Sequence, residues 1–170
     1  MSTFAKIASS TVGSGGASGI AFSSIPGTYT DLVIWACLRT NRAGETVDYI
    51  DVTFNQSTSN ITCVTNFFSG TNKGSYYNTT NIYGGLPGDT NTSPMFGGTT
   101  IYVMNYTWAN EKSVLMETFT EYNGTNQNYG NFAGGLWNNT SAITRIDLKP
   151  LVGTLFAQGS NAVLYGISNA

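Results

Sequence analysis

The chain has no histidine at all. That removes the side chain most used as a general base near neutral pH and the commonest metal ligand, and with it every Ser-His-Asp or Cys-His site. Charge is nearly as scarce: 7 Lys+Arg and 9 Asp+Glu in 170 residues, 9% in all, where an ordinary soluble domain carries about 25%. Seven scattered basic residues do not make the electrostatic footprint of a nucleic-acid binder. No apolar run approaches the roughly 20 residues of a membrane-spanning helix. The opening is not read as a leader, because Lys6 precedes only Ile7–Ser10 before Ser, Thr and Gly set in. Only two cysteines occur, Cys37 and Cys63, without CxxC spacing. They read as reduced, half-buried small residues, with a disulfide across neighbouring strands as the alternative. Zinc ligands are lacking in number and spacing, so no metal and no cofactor is expected.

What is present is neutral polarity. Thr (24), Gly (20), Asn (18) and Ser (16) supply 78 of the 170 residues, and aromatics reach 13%. The abundance of aromatic and β-branched residues argues against disorder. The dominant period is two. In 31–39, Leu32, Ile34, Ala36 and Leu38 alternate with Val33, Trp35, Cys37 and Arg39; both faces are largely apolar, which predicts a central strand buried on both sides. Further strands are predicted over 49–54, 61–68, 99–106, 113–122, 143–149 and 162–168, with weaker ones at 4–10, 19–22 and 129–137. Turn clusters lie between them, as at 13–16, 24–27, 41–44, 84–89 and 138–141. No helical-length window carries an i, i+3, i+4 stripe.

These features predict an all-β, antiparallel β-sandwich of jelly-roll-like type in one domain over 1–170. Residues 1–19 read either as an N-terminal arm or as a first strand. Residues 69–98, rich in Gly, Asn and Tyr, are expected to be a loop or hairpin insertion. A solvated linker gains nothing from Tyr76, Tyr77, Tyr83, Leu86 and Phe96.

The chain offers little to catalysis. The stretch 14–19 (SGGASG) is neither a dinucleotide fingerprint nor a P-loop and leads into a strand. Glu117 and Glu121 share a strand face about 13 Å apart, too far for a glycosidase pair; Glu117 with a carboxylate from another strand is the remaining acidic pair, against solvated charges on an exposed face as the competing reading. Asp48 with Asp51, and the loop 89–91, hold oxygen ligands for calcium but match no EF-hand pattern, and solvated surface is the competing reading. Exposed aromatics beside amides would suit sugar binding. Trp108, Trp137, Tyr76, Tyr77 and Tyr129 are the candidates, with strand-end core packing for Trp137 and subunit contacts for the tyrosines as the competing readings. Eight N-x-[ST] sequons, at Asn55, Asn60, Asn78, Asn91, Asn105, Asn123, Asn138 and Asn139, read as the texture of Asn/Thr-rich strands and turns.

The opening KIASSTVGSGGASGIAFSSIPGTYTDLVI (6–34), GLWNNTSAITRIDLKP (135–150) and GSNAVLYGISNA (159–170) together resemble a group of small tailed-phage proteins, many from aquatic phages including those of cyanobacteria. The similarity is carried by the strand entry 24–33, an RAG turn at 42–44, FN at 54–55 and LYGI at 164–167. It contains no catalytic motif to transfer. It implies a virion structural protein, assembled in the bacterial host cytoplasm. Within that class a capsid decoration (cement) protein is expected. It would be a homo-oligomer, a trimer, that clamps capsid subunits and binds neither nucleic acid nor membrane. The alternative is a carbohydrate-binding receptor-recognition module of a tail or head fibre, meeting a host surface glycan. Tyr76, Tyr77, Tyr83, Phe96, Trp108 and Tyr129 are the expected partner or glycan contacts.

Overall fold

The computed structural model describes residues 3–121 and 128–168. Twelve strands follow in chain order: β1 (Thr3–Thr11), β2 (Ile20–Phe22), β3 (Asp31–Leu38), β4 (Val47–Phe54), β5 (Ile61–Ser69), β6 (Asn72–Asn78), β7 (Ile82–Pro87), β8 (Gly97–Val103), β9 (Lys112–Glu121), β10 (Asn128–Trp137), β11 (Ile146–Pro150) and β12 (Asn161–Ser168). No helix occurs among the described residues. One sheet has eight strands in the order β1-β12-β3-β8-β9-β10-β5-β6, and the other four in the order β2-β11-β4-β7. Every pairing is antiparallel. The architecture is the all-β sandwich expected from the alternation.

The core lies between the sheets. Leu32, Ile34 and Leu38 of β3, Ile101 and Val103 of β8, and Val114 and Met116 of β9 face Ile50, Val52 and Phe54 of β4, Ile82 and Leu86 of β7, and Ile146 and Leu148 of β11. All are buried, so period two translates directly into one inward face per strand. Trp137 at the end of β10 is fully buried against Phe54, with ring centroids 5.7 Å apart. It is a core anchor, not a sugar platform. The Lys112 ammonium lies 5.6 Å from the Trp137 ring centre and donates to the carbonyls of Asn110 and Asn139; burial pushes its pKa down.

The segment 69–98 contains regular structure. β6 forms a hairpin with β5, and β7 pairs with β4 in the smaller sheet and packs across β9 and β10. Glycine makes that approach feasible. A Cβ on Gly84 would stand 2.5 Å from Thr118, and one on Gly85 would stand 2.3 Å from the Tyr129 ring. The Asn131 Oδ1 accepts the Gly85 N–H at 2.6 Å and the Thr118 hydroxyl at 3.2 Å, tying the two sheets together. Weak hydrophobic alternation hides β7, because its middle is glycine. At the other end of the chain β1 pairs with β12 along the edge of the larger sheet, so residues 3–11 are a strand and not a free arm.

Loops are held by polar side chains. Arg39 donates through Nη1 to the carbonyls of Thr92 and Met95, both at 3.0 Å, and through Nη2 to those of Asp89 and Asn91, both at 2.9 Å. Asn55, at φ 50°, accepts the N–H groups of Thr144 and Arg145 on its Oδ1. Such side-chain turns explain the asparagine content. Among the sequon residues, the Oδ1 atoms of Asn78 and Asn139 accept the N–H groups of Thr80 and Ser141 in turns, and the Asn91 Nδ2 donates to the Glu121 carbonyl. Asn123 lies outside the described residues.

Candidate functional site: the outer face of the eight-stranded sheet

The small sheet covers only the inner face of the large one, so the outer face meets solvent. That face carries many apolar and aromatic side chains among polar ones. The ladder registers align Tyr165, Val33, Tyr102, Leu115, Gly134, Val64 and Tyr77 in one row across the strands. The next row reads Val163, Trp35, Thr100, Glu117, Phe132, Asn66 and Ser75. The third reads Asn161, Cys37, Gly98, Phe119, Gly130, Phe68 and Lys73. Trp35 is 48% exposed, Phe119 52%, Phe132 53% and Leu115 53%. The strand 31–38 is therefore not covered on both sides: Trp35 and Cys37 look outward. An apolar second face satisfies the sequence pattern of a doubly buried strand equally well.

Aromatic rings order this surface. Phe4, Trp35 and Tyr165 pack together with centroids 4.7–5.4 Å apart. Phe68 stands 6.2 Å from Phe119 and 6.1 Å from Phe132. Between the two groups runs a hollow of about 490 Å³, walled by Trp35 and Tyr165 on one side and Phe119 and Phe132 on the other, with Gly98 and Thr100 of β8 as its floor. A second hollow, of about 440 Å³, has Gly134 in its floor between Leu115, Val64 and Tyr77. A smaller one shares Glu117 and Phe132 with the first and Leu115 and Gly134 with the second. The three adjoin one another in an oblique line, a groove divided by the Glu117 and Phe132 side chains. Among the described residues, Glu117 is the only charged one in its lining. Nearby, the Tyr102 hydroxyl donates to Asp31, and this bond, with burial, holds its pKa up to about 12.

The residues singled out in the sequence are dispersed. Tyr76, Tyr83 and Tyr129 do come together, but through Tyr49 and Phe67 in a cluster beside the edge strand β7: Phe67 stacks on Tyr76 at 5.0 Å, Tyr49 meets Tyr83 at 5.5 Å, and Tyr129 lies 6.3 Å from both Tyr49 and Phe67. Tyr129 is buried, contrary to its expected role as a surface contact, because β7 glycines let its ring lie across the small sheet's edge. Burial and the neighbouring Tyr49 push its phenol far above the ordinary range. Tyr77 lies in the groove. Phe96 is half-buried in the loop before β8, and Trp108 is exposed on the turn after it, both outside the groove. Asp48 is buried, with its carboxylate taken by the N–H groups of Tyr49, Val152 and Gly153. That leaves it unsuited to calcium. Asp51 is raised by burial and bonded to Asn81. Both cysteines are free, Cys37 exposed and Cys63 buried. The groove residues Trp35, Phe119, Phe132, Gly98 and Glu117 were missed as a group; the available signal was that β3 and β9 are apolar on both faces.

The chain matches no protein-family model, no curated protein and no solved structure.

Proposed function

We propose that this chain is a non-enzymatic structural protein of a phage virion that works by holding a partner against the outer face of its eight-stranded sheet. Capsid decoration is the role favoured within that class. The supporting observation is the face itself: Trp35 on β3, Leu115 and Phe119 on β9 and Phe132 on β10 are half-exposed on one face, set around Thr100 and Glu117, and concentrations of exposed hydrophobics of this kind mark interaction sites. Scattered single hydrophobics would carry no such implication. The virion setting rests on the resemblance of the segments 24–33, 42–44, 54–55 and 164–167 to tailed-phage proteins, read from the sequence alone. A homo-oligomer, a trimer, fits decoration, and the edge strands β1 and β6 offer backbone donors and acceptors to neighbouring copies.

Location is tested by a cryo-EM map of purified particles together with heat challenge of particles lacking the protein. The expected result is density for the sandwich on the capsid and earlier genome release without it. Purified particles free of the chain would overturn the proposal. A second reading, a glycan-recognition module on a fibre, is favoured by one observation, the aromatic-walled groove, and would place the same density at a fibre tip.

A further inference from the structure

We propose that the groove across the outer face is a binding site for an uncharged polysaccharide chain lying across the strands, with Trp35 and Phe132 as stacking platforms and Glu117 as the acceptor that orients it. This rests on the second reading above, in which the outer face meets a glycan, and names the class of glycan that occupies it.

The groove has the form of a built channel. Among the glycines within strands, Gly98 and Gly134 alone have no atom within 4 Å of where a Cβ would stand. Those in contact positions, such as Gly74, Gly85 and Gly130, have their Cβ space filled by Phe67, Tyr129 and Phe68. Gly98 and Gly134 therefore leave open floor where a strand would ordinarily carry a branched side chain. The trough over β8 is bounded by side chains on β3 and β9, two strand spacings or about 10 Å apart. From the Tyr165 wall on β12 to Tyr77 on β6 the line of hollows spans six strand spacings, roughly 29 Å at about 4.8 Å each. That suits a chain of several rings rather than one small molecule.

Chemistry selects among occupants. An extended peptide across the strands would find no backbone partners, because the central strands spend theirs on the ladders; its own N–H and C=O groups would be stranded over apolar rings. An anionic polymer meets Glu117 in the groove, while Lys6 and Lys73 stand only on the border strands β1 and β6. A neutral sugar chain fits each constraint. Its C–H faces lie on Trp35 and Phe132, its hydroxyls donate to Glu117 and exchange bonds with Thr100 and Asn66, and the remainder stay in water.

The test uses the full chain and neutral homo-oligosaccharides of glucose, galactose and mannose, from dimers upward, with calorimetry and protection of Cys37 from maleimide as readouts. The expected result is affinity that rises with oligosaccharide length, is insensitive to salt and shields Cys37. Trp35→Ala and Phe132→Ala should each weaken it at least about tenfold, equivalent to about 1.4 kcal/mol. Gly98→Ile, whose Cβ meets no atom within 4 Å, should block the trough while an unchanged thermal melt shows the fold is kept, and Trp108→Ala should change nothing. Failure of every series to bind overturns the inference, as does binding indifferent to Gly98→Ile, preference for anionic polysaccharides, or a Gly98-dependent dimer. The outcomes separate from those of the particle map: presence on virions without sugar binding leaves the virion proposal standing, and sugar binding by a protein absent from particles does the reverse.

Discussion

The Tyr102 hydroxyl donates to Asp31 Oδ2 at 2.6 Å, while the Asn105 N–H occupies the other carboxylate oxygen at 2.8 Å. The bond joins adjacent strands β3 and β8 at the outer face. Its first effect on Tyr102 is to hold the proton, with burial adding to it, so the pKa rises from 10.0 to about 12. The folded state then binds more protons than the unfolded chain between those values, and stability falls as pH rises through that window. Burial raises Tyr83 and Tyr106 as well, in the same sense. Lys112, lowered by burial, acts in the opposite sense, gaining stability as pH climbs toward its ordinary value. Urea midpoints should therefore decline above about pH 10, and Tyr102→Phe should flatten the decline while costing about 1–2 kcal/mol at neutral pH.

Arg39 is a clamp, because one buried guanidinium satisfies four loop carbonyls. Arg39→Met removes every donor and should destabilise by about 3 kcal/mol. Arg39→Lys should recover only part, since a point ammonium lacks the planar fork. Thermal melts give the energy, and faster hydrogen exchange over 89–97 locates it.

The two aromatic environments separate cleanly in mutation. Trp137→Ala opens a cavity at a fully buried site and should cost about 4 kcal/mol. Trp108→Ala, at a residue 55% exposed, should stay within about 0.5 kcal/mol. Chemical denaturation of both variants checks the contrast.

Strand glycines divide in the same way. Gly98→Ala adds a Cβ that meets no atom within 4 Å and restricts the unfolded chain, so it should stabilise by about 0.5–1 kcal/mol. Gly85→Ala drives a methyl into the Tyr129 ring and should destabilise by at least about 1 kcal/mol. Melting temperatures moving in opposite directions are the expected sign.

Thiol reactivity follows from burial. Cys37 is exposed, whereas Cys63 is buried with its pKa raised by that burial. A disulfide-exchange reagent should titrate one thiol rapidly in the native protein and two after denaturation. Two fast thiols would contradict the register of β5.

Much of the fold was legible because a side-chain period of two leaves a direct trace. β3, β4, β5, β8, β9 and β12 all coincide with alternating runs. β6 and β7 left a weaker trace: Asn72–Asn78 is an exposed polar edge, and Gly84–Gly85 interrupts β7 where the sheets meet. The expected contacts at Tyr76, Tyr83 and Tyr129 were drawn from aromatic character alone. Their packing on Phe67 and Tyr49 depends on strands distant in sequence.

By itself the sequence determined that this is a two-layer antiparallel β-protein with a neutral surface and no histidine chemistry, because composition and alternation are local properties. Only the tertiary structure decided which apolar faces are covered. Four strands cannot enclose both sides of eight, so Trp35, Phe119 and Phe132 stay in solvent while Leu32, Met116 and Ala133 on the same strands are sealed inside. Alternation marks two faces of a strand, and the choice between them belongs to whichever sheet arrives to cover one.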